Sequence, residues 1–173
     1  MARPRSLTDR ARRIRLLVLD VDGVLTDGGL FYGAAGEEGK RFDVHDGLAM
    51  VAARRSGLAI AVISGRASPA VAQRMKELGV AEVHQGVDDK AAVLSALLAR
   101  QGLSRAEVAV MGDDLPDLPA LAQAGLALAP ANAVTEVKRA AHWVARHGGG
   151  GGAVREAIEL ILRARKSWPP KGA

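Results

Sequence analysis

Residues 17–29 read LVLDVDGVLTDGG, an apolar run closed by aspartates at positions 20, 22 and 27. A short continuous apolar run bounded by turn residues is the pattern of a strand buried on both faces, as in a parallel sheet. Carboxylates at the end of such a strand repel one another and cost free energy to desolvate, so their presence asks for a cation or a chemical task. Comparable runs recur at 15–20, 58–63, 80–84, 107–112, 126–129 and 142–145. Between them, helical periodicity predicts helices near 47–56, 68–79, 89–102, 115–124, 133–141 and 153–166. Gly57, Gly79, Gly102 and Gly125 stand where left-handed helix C-caps belong. The alternation predicts an α/β domain with a doubly wound, mostly parallel, Rossmann-like sheet. In such sheets ligands collect at the carboxyl ends of the strands.

The 173 residues are 49% hydrophobic, enough for one domain with a real core. No run approaches the length of a membrane span, and Asp20 and Asp22 break the first apolar run, so a secretory signal is not supported. The expectation is a soluble, cytoplasmic protein. With no cysteine, disulfides, thiol catalysis and thiolate metal sites are excluded, and oxygen ligands for a hard cation are favoured. The formal charge of +5 sits entirely on residues 1–15, where six arginines face one aspartate, while the rest of the chain balances. With few aromatics to stack on bases, that excess reads as a basic flexible leader over 1–13, and nucleic acid is an unlikely partner.

Residues 28–44 break the alternation. GGLFYGAAGEEGKRFDV holds two short extended patterns around a glycine-rich turn and predicts a projecting β-hairpin. Phe31, Tyr32 and Phe42 on such a ribbon call for cover, from another subunit or from the same domain. The five glycines at 148–152 read as a linker, a hinge or an anion-binding helix start. The compact domain is expected over 14–166, with a flexible tail at 167–173.

The residues after the predicted strands are Asp20 and Asp22; Ser64, Gly65 and Arg66; Asp88, Asp89 and Lys90; and Asp113, Asp114 and Asp117. Each has a bland reading as a cap or turn residue, but four strand ends of this kind together suggest phosphoryl transfer to a carboxylate. Asp20 would attack phosphorus. Mg²⁺ held by Asp20, Asp113 and the main-chain carbonyl of Asp22 would neutralise the phosphate, with Lys90 as a second cation. Ser64 and neighbouring backbone N–H groups would bind phosphate oxygens, and Asp22 would carry protons to and from the leaving group and water. A phospho-acceptor signalling module also combines acids, a hydroxyl and a lysine on such a sheet. It does not need a proton carrier two residues after its acceptor.

DVDGVLTDG, ISGR, GVDDK and GDDLPDLP resemble, in order and spacing, the four motifs of the haloacid dehalogenase superfamily of phosphatases. The hairpin followed by FDVHDG, the QG pair before Lys90, and GGGGGAVREAIELIL are similar to the branch acting on 3-deoxy-D-manno-octulosonate 8-phosphate, a lipopolysaccharide precursor. Phosphatases of nonulosonate (sialic-acid-like) 9-phosphates share that framework. The resemblance spans about residues 14–165. It implies Asp20 as nucleophile, Asp22 as general acid and base, Asp113 as a further metal contact, and Asp114 and Asp117 as residues orienting the metal site. It also implies phosphate binding by Ser64 and Lys90, and contacts to the sugar acid from Arg66, Arg74 and the loop Asp43, Val44, His45, Asp46 and Gly47. Two positions depart from the pattern: His45 stands where the family often has arginine, and Val51 where some members carry one. Segments 23–63 and 65–89 are already used by the hairpin, helices and a strand, so no cap domain fits. The resemblance implies instead a homotetramer in which hairpins associate and neighbours wall an open site, with the C-terminal tail as a lid or simply a disordered end.

Overall fold

The computed structural model describes residues 6–34, 36 and 38–169. Helix α1 (Leu7–Arg13) leads into β1 (Leu16–Leu19), followed by a ribbon of β2 (Phe31–Tyr32) and β3 (Glu38–Gly39). Then come α2 (Val44–Arg55), β4 (Ala59–Ile63), α3 (Pro69–Glu77), β5 (Glu82–His84), α4 (Lys90–Gln101) and β6 (Val108–Met111). The chain closes with α5 (Leu118–Leu121), β7 (Leu126–Ala129), α6 (Thr135–Ala140), β8 (Trp143–Val144) and α7 (Ala153–Ala164).

Six strands form one parallel sheet in the order β5-β4-β1-β6-β7-β8. β1 is central because LLVL is apolar on both sides and can be covered on both. Leu17 and Leu19 enter the core shared with Ile60, Val62, Ala109 and Met111 and with α1, α2 and α7. Leu16 and Val18 face the opposite core, with Ala61, Ile63, Val110 and the Leu94–Leu97–Leu98 stripe of α4. The period-two alternation of strand side chains thus divides one apolar run between two layers. Each fully buried leucine or isoleucine contributes about 1.5–3 kcal/mol. Chain order reverses at β1, whose neighbours are β4 on one side and β6 on the other, so the crevice at its carboxyl end is the topological switch point.

Several expectations shift. The flexible leader does not hold over 7–13: Ser6 caps α1 by accepting the Asp9 N–H, and Ala11 and Ile14 are buried in the core beside α7. Residues 1–5 lie outside the described residues. At the other end Trp168 packs on the core and the Arg155 guanidinium sits 5.7 Å from its ring centroid, so the expected flexible tail does not hold at Trp168; residues 170–173 lie outside the described ones. Gly57, Gly79 and Gly102 have the left-handed φ of C-caps, whereas Gly125 does not. Gly125 is small because a Cβ would lie 2.7 Å from Ala106 Cα.

The glycine run is neither linker nor hinge. A Cβ on Gly149 would meet the Gly23 carbonyl oxygen at 1.9 Å, and the Gly150 N–H donates to the Val24 carbonyl. The run is a turn pressed against the loop after β1. The predicted ribbon pairs over two residues per strand, with Phe31 and Tyr32 exposed, while Phe42 leaves it to pack on the main core.

Candidate active site

The loop after β1 carries Asp20 and Asp22, and the β6–α5 turn brings Asp113 and Asp117 to the same edge. Carboxylate oxygens of Asp20, Asp113 and Asp117 all lie within 4.8 Å of one another. Lys90, at the first position of α4, bridges two of them: its Nζ is 2.8 Å from Asp20 Oδ1 and 2.6 Å from Asp117 Oδ1. Asp89 caps that helix through the Ala92 N–H, so a cap residue aims the lysine beside it. Asp117 is 3% exposed, and its Oδ2 accepts the N–H groups of Asp113 and Asp114, which fixes the turn bearing both.

Glycines make the approach possible. Gly23 has φ +84°, and a Cβ there would stand 2.0 Å from Asp113 Oδ2. A Cβ on Gly112 would stand 2.4 Å from Asp117 Cβ. Asn132 ties the layers together, donating from Nδ2 to the Gly23 carbonyl and accepting the Gly149 N–H on Oδ1.

Burial, then the Asp117 charge, pushes the Asp20 carboxyl up to about 6 against the pull of Lys90. Burial and the charges of Asp20, Asp117 and Asp114 push Asp113 up to about 7. Burial alone would lower Lys90, but the Asp20 and Asp117 charges outweigh it and hold the ammonium above its ordinary value. The cluster is therefore over-supplied with negative charge, a condition a hard divalent cation relieves. Its all-oxygen donor set fits Mg²⁺. Asp117, expected only to orient the metal site, stands inside the carboxylate group, and the Asp22 side chain does not. The Asp22 side chain pairs with Lys40, and Arg66 Nε is 3.8 Å from its Oδ2.

A cleft of about 410 Å³ opens over the cluster, with Ser64, Gly65, Arg66, Asp114 and Asn132 on its wall. Ser64 is buried, accepts the Arg66 N–H on its Oγ and is pinned by its own N–H to the His84 carbonyl. Asp114 is exposed and accepts the Leu115 N–H. Arg74 and residues 43–47 are not on that wall. Asp43 accepts the N–H groups of His45 and Asp46, making 44–47 the first turn of α2 rather than a loop. Asp46 turns inward: it is 1% exposed and accepts the Arg155 and Gly152 N–H groups at the start of α7. Burial raises its carboxyl to about 6 against those hydrogen bonds. Gly47 faces the Arg74 guanidinium, which also pairs with Glu77. Val44 and His45 face solvent, and Val51 packs against the core. The sequence gives no sign that Lys40, Tyr32 and Asn132 belong near the site, since each sits in a segment whose composition says only turn or hairpin; Gly23 lies within the DVDG motif itself.

Acids and a lysine thus gather at the switch point of a doubly wound parallel sheet, beside a buried serine one strand over. The family model described as haloacid dehalogenase-like hydrolase matches residues 79–158. The 3-deoxy-D-manno-octulosonate 8-phosphate phosphatase of Yersinia pestis is 43% identical over 156 residues, covering 90% of this chain and 83% of that protein. The crystal structure of the corresponding Moraxella catarrhalis phosphatase, in complex with magnesium, phosphate and KDO, superposes with a TM-score of 0.92 at 40% identity, covering 94% of this chain and 93% of that one. A cobalt-bound Haemophilus influenzae phosphatase of the same kind gives 0.90 at 37% identity, covering 95% and 96%. The chain belongs to the 3-deoxy-D-manno-octulosonate 8-phosphate phosphatase family.

Proposed function

We propose that this protein is a Mg²⁺-dependent phosphoric monoester hydrolase that converts 3-deoxy-D-manno-octulosonate 8-phosphate to the free sugar acid and inorganic phosphate. It would act in the cytoplasm, in the supply of a lipopolysaccharide precursor. The observation that carries the reading is the Asp20–Asp113–Asp117 cluster gripped by Lys90 at the end of β1. The relatives described above bear the eight-carbon name, which favours that substrate over the nonulosonate 9-phosphates. Membership of a hydrolase family and the proton carrier two residues beyond the nucleophile disfavour the signalling module.

Asp20 and Asp113 would hold the cation, joined by the main-chain carbonyl of Asp22, while Asp117, its oxygens taken by Lys90 and the Asp113 and Asp114 N–H groups, orients them; once bound, Mg²⁺ would neutralise the phosphate dianion so that a carboxylate can approach it. Ser64 Oγ, the Gly65 N–H and Lys90 bind phosphate oxygens. Asp20 attacks phosphorus, the P–O bond to the sugar breaks, and Asp22 gives its proton to the leaving alkoxide. Asp22 then takes a proton from water as its oxygen attacks the aspartyl phosphate, releasing phosphate and restoring Asp20. Asp114 steadies the turn that carries Asp113 and Asp117.

Arg66 approaches the sugar acid from the cleft wall. Residues 43–45 and 47 and Arg74 lie off that wall and would instead serve the open site of a neighbouring copy, in a homotetramer joined through the 28–44 hairpin. The exposed Phe31 and Tyr32 support that surface. Asp46, spent on α7, is withdrawn from sugar contact. The domain then spans α1 to Trp168. No helix among the described residues is long and apolar enough to cross a membrane.

Phosphate release from eight- and nine-carbon sugar-acid phosphates with Mg²⁺ tests the reaction. Asp20→Asn and Asp22→Asn are each expected to lower turnover by at least about a hundredfold; turnover unchanged in both would end the mechanism. Light scattering tests the assembly, and a monomer would sink the shared site.

A further inference from the structure

The hairpin reaches the proton carrier directly through Lys40 and, by way of Arg66, through Tyr32. Lys40, the residue after β3, directs its ammonium at Asp22 Oδ1, and its side chain is 0% exposed. From the other side Arg66 Nε stands 3.8 Å from Asp22 Oδ2, and Arg66 Nη2 donates to the Tyr32 hydroxyl, 3.1 Å away, on β2. A path Lys40–Asp22–Arg66–Tyr32 thus begins just past β3 and ends on β2.

An exposed ion pair of this kind would stabilise little and fix nothing. Lys40 differs because its side chain is covered, so its charge has to be matched locally and its stem cannot wander. Asp22 lies beside a cluster already rich in carboxylates, whose repulsion would drive its side chain outward. A cation on the hairpin side is what can keep both carboxylate oxygens in one orientation.

We propose that Lys40 is a positioning residue for Asp22, making the hairpin part of the proton-transfer apparatus as well as an assembly surface. This rests on the reading of Asp22 as proton carrier given above. Lys40 need not touch the sugar or the phosphate; it acts by holding Asp22 where the leaving oxygen and the attacking water meet it. A displacement of about 1 Å at a catalytic group costs on the order of a hundredfold in rate, so the loss should fall on the chemical steps and spare ground-state binding.

The experiment is a double-mutant cycle on the full chain with Mg²⁺ and 3-deoxy-D-manno-octulosonate 8-phosphate: wild type, Lys40→Met, Asp22→Asn and the pair together. Lys40→Met is expected to lower kcat about tenfold to a hundredfold with KM within about threefold, and to add nothing once Asp22→Asn is in place. A burst measurement with p-nitrophenyl phosphate, whose leaving group needs no proton, should show the first step of Lys40→Met within about threefold of wild type, whereas a merely collapsed cleft would slow it as well. If Lys40→Met melts below the assay temperature, Lys40→Gln replaces it. Equal losses from Lys40→Met with and without Asp22→Asn, or an unchanged kcat, overturn the proposal while leaving the phosphatase reading intact. An inert Asp22→Asn removes the proton-carrier role and this inference with it.

Discussion

Replacing Lys90 by methionine removes the cation between Asp20 and Asp117 while keeping an unbranched side chain only one atom shorter. Its Nζ lies 2.8 and 2.6 Å from the two carboxylates, and the three acids lie within 4.8 Å of one another. At an effective dielectric of about 20, two unit charges that far apart repel by about 3.5 kcal/mol. Breaking a buried pair by removing one partner typically costs about 3–5 kcal/mol, and protonation of an acid relieves part of it. We expect Lys90→Met to lose about 3 kcal/mol in metal-free buffer near pH 8, a fall in Tm of about 6–12 °C for a chain of this size.

The pH dependence identifies the cause. Asp20 and Asp113 titrate at about 6 and about 7 in the fold, above the ordinary carboxylate value, because of burial and mutual repulsion. The fold therefore takes up protons that the unfolded chain does not, and the associated stability is present at acid pH and lost as pH rises through 6 to 7. Without Lys90 those carboxyls move higher still, so the deficit should be largest near pH 8 and shrink near pH 5. Millimolar Mg²⁺ should recover much of it, since a ligand at a hundred times its Kd stabilises by about 2.7 kcal/mol. Differential scanning calorimetry at both pH values, with chelator and with Mg²⁺, reads all four conditions. A deficit of the same size in each would refute the electrostatic reasoning and leave only lost packing.

Other perturbations probe the same construction. Gly23→Ala places a methyl 2.0 Å from Asp113 Oδ2 at φ +84°; Mg²⁺ affinity by calorimetry should fall at least about tenfold, while backbone strain costs about 1–2 kcal/mol. Mg²⁺ binding to the wild type should weaken as pH falls below about 7, by about tenfold per unit at first, with proton release on binding, because Asp20 and Asp113 have to be deprotonated to ligate; flat affinity from pH 8 to about pH 5 would contradict it. Asp46→Ala leaves two N–H groups at the start of α7 without their carboxylate acceptor, so Tm should drop by about 2–12 °C, from a loss of about 1–3 kcal/mol.

The strands and the reaction were legible in the sequence because both are local signals. LLVL announces a doubly buried strand, and the acids at its carboxyl end can only be chemistry or turn. Tertiary partners were not legible. GGGGG looks flexible by composition, yet Gly149 and Gly150 are small because the loop after β1 presses on them. FDVHDG looks like a loop until Asp43 caps the helix that contains the rest of it. The arginine leader looks solvated, but LTDRARRI carries Leu7, Ala11 and Ile14 at helical spacing, a stripe that charge obscures. Asp117 announced itself as an acid, and only packing shows it as the buried anchor of its turn.

The charge of the site is unbalanced, and its geometry keeps it so. Three carboxylates crowd around one lysine, and burial, then their mutual repulsion, raises Asp20 to about 6 and Asp113 to about 7. Tight convergence of this kind is possible only where Cβ atoms are missing: Gly23 beneath Asp113, Gly112 beneath Asp117, and Gly149 beneath the Gly23 carbonyl. The loops after β1, β6 and β8 interlock through those gaps, so the glycine run far along the chain helps set the distance between Asp20 and the acids facing it. A site of this design stores repulsion, and a bound dication turns that repulsion into affinity. The aspartates at the end of LVLDVDGVLTDGG therefore differ in kind. Asp20 belongs to the unbalanced cluster, Asp22 is drawn away from it by the hairpin, and Asp27 pairs with Arg41 and accepts the Gly29 N–H where the chain turns into the ribbon.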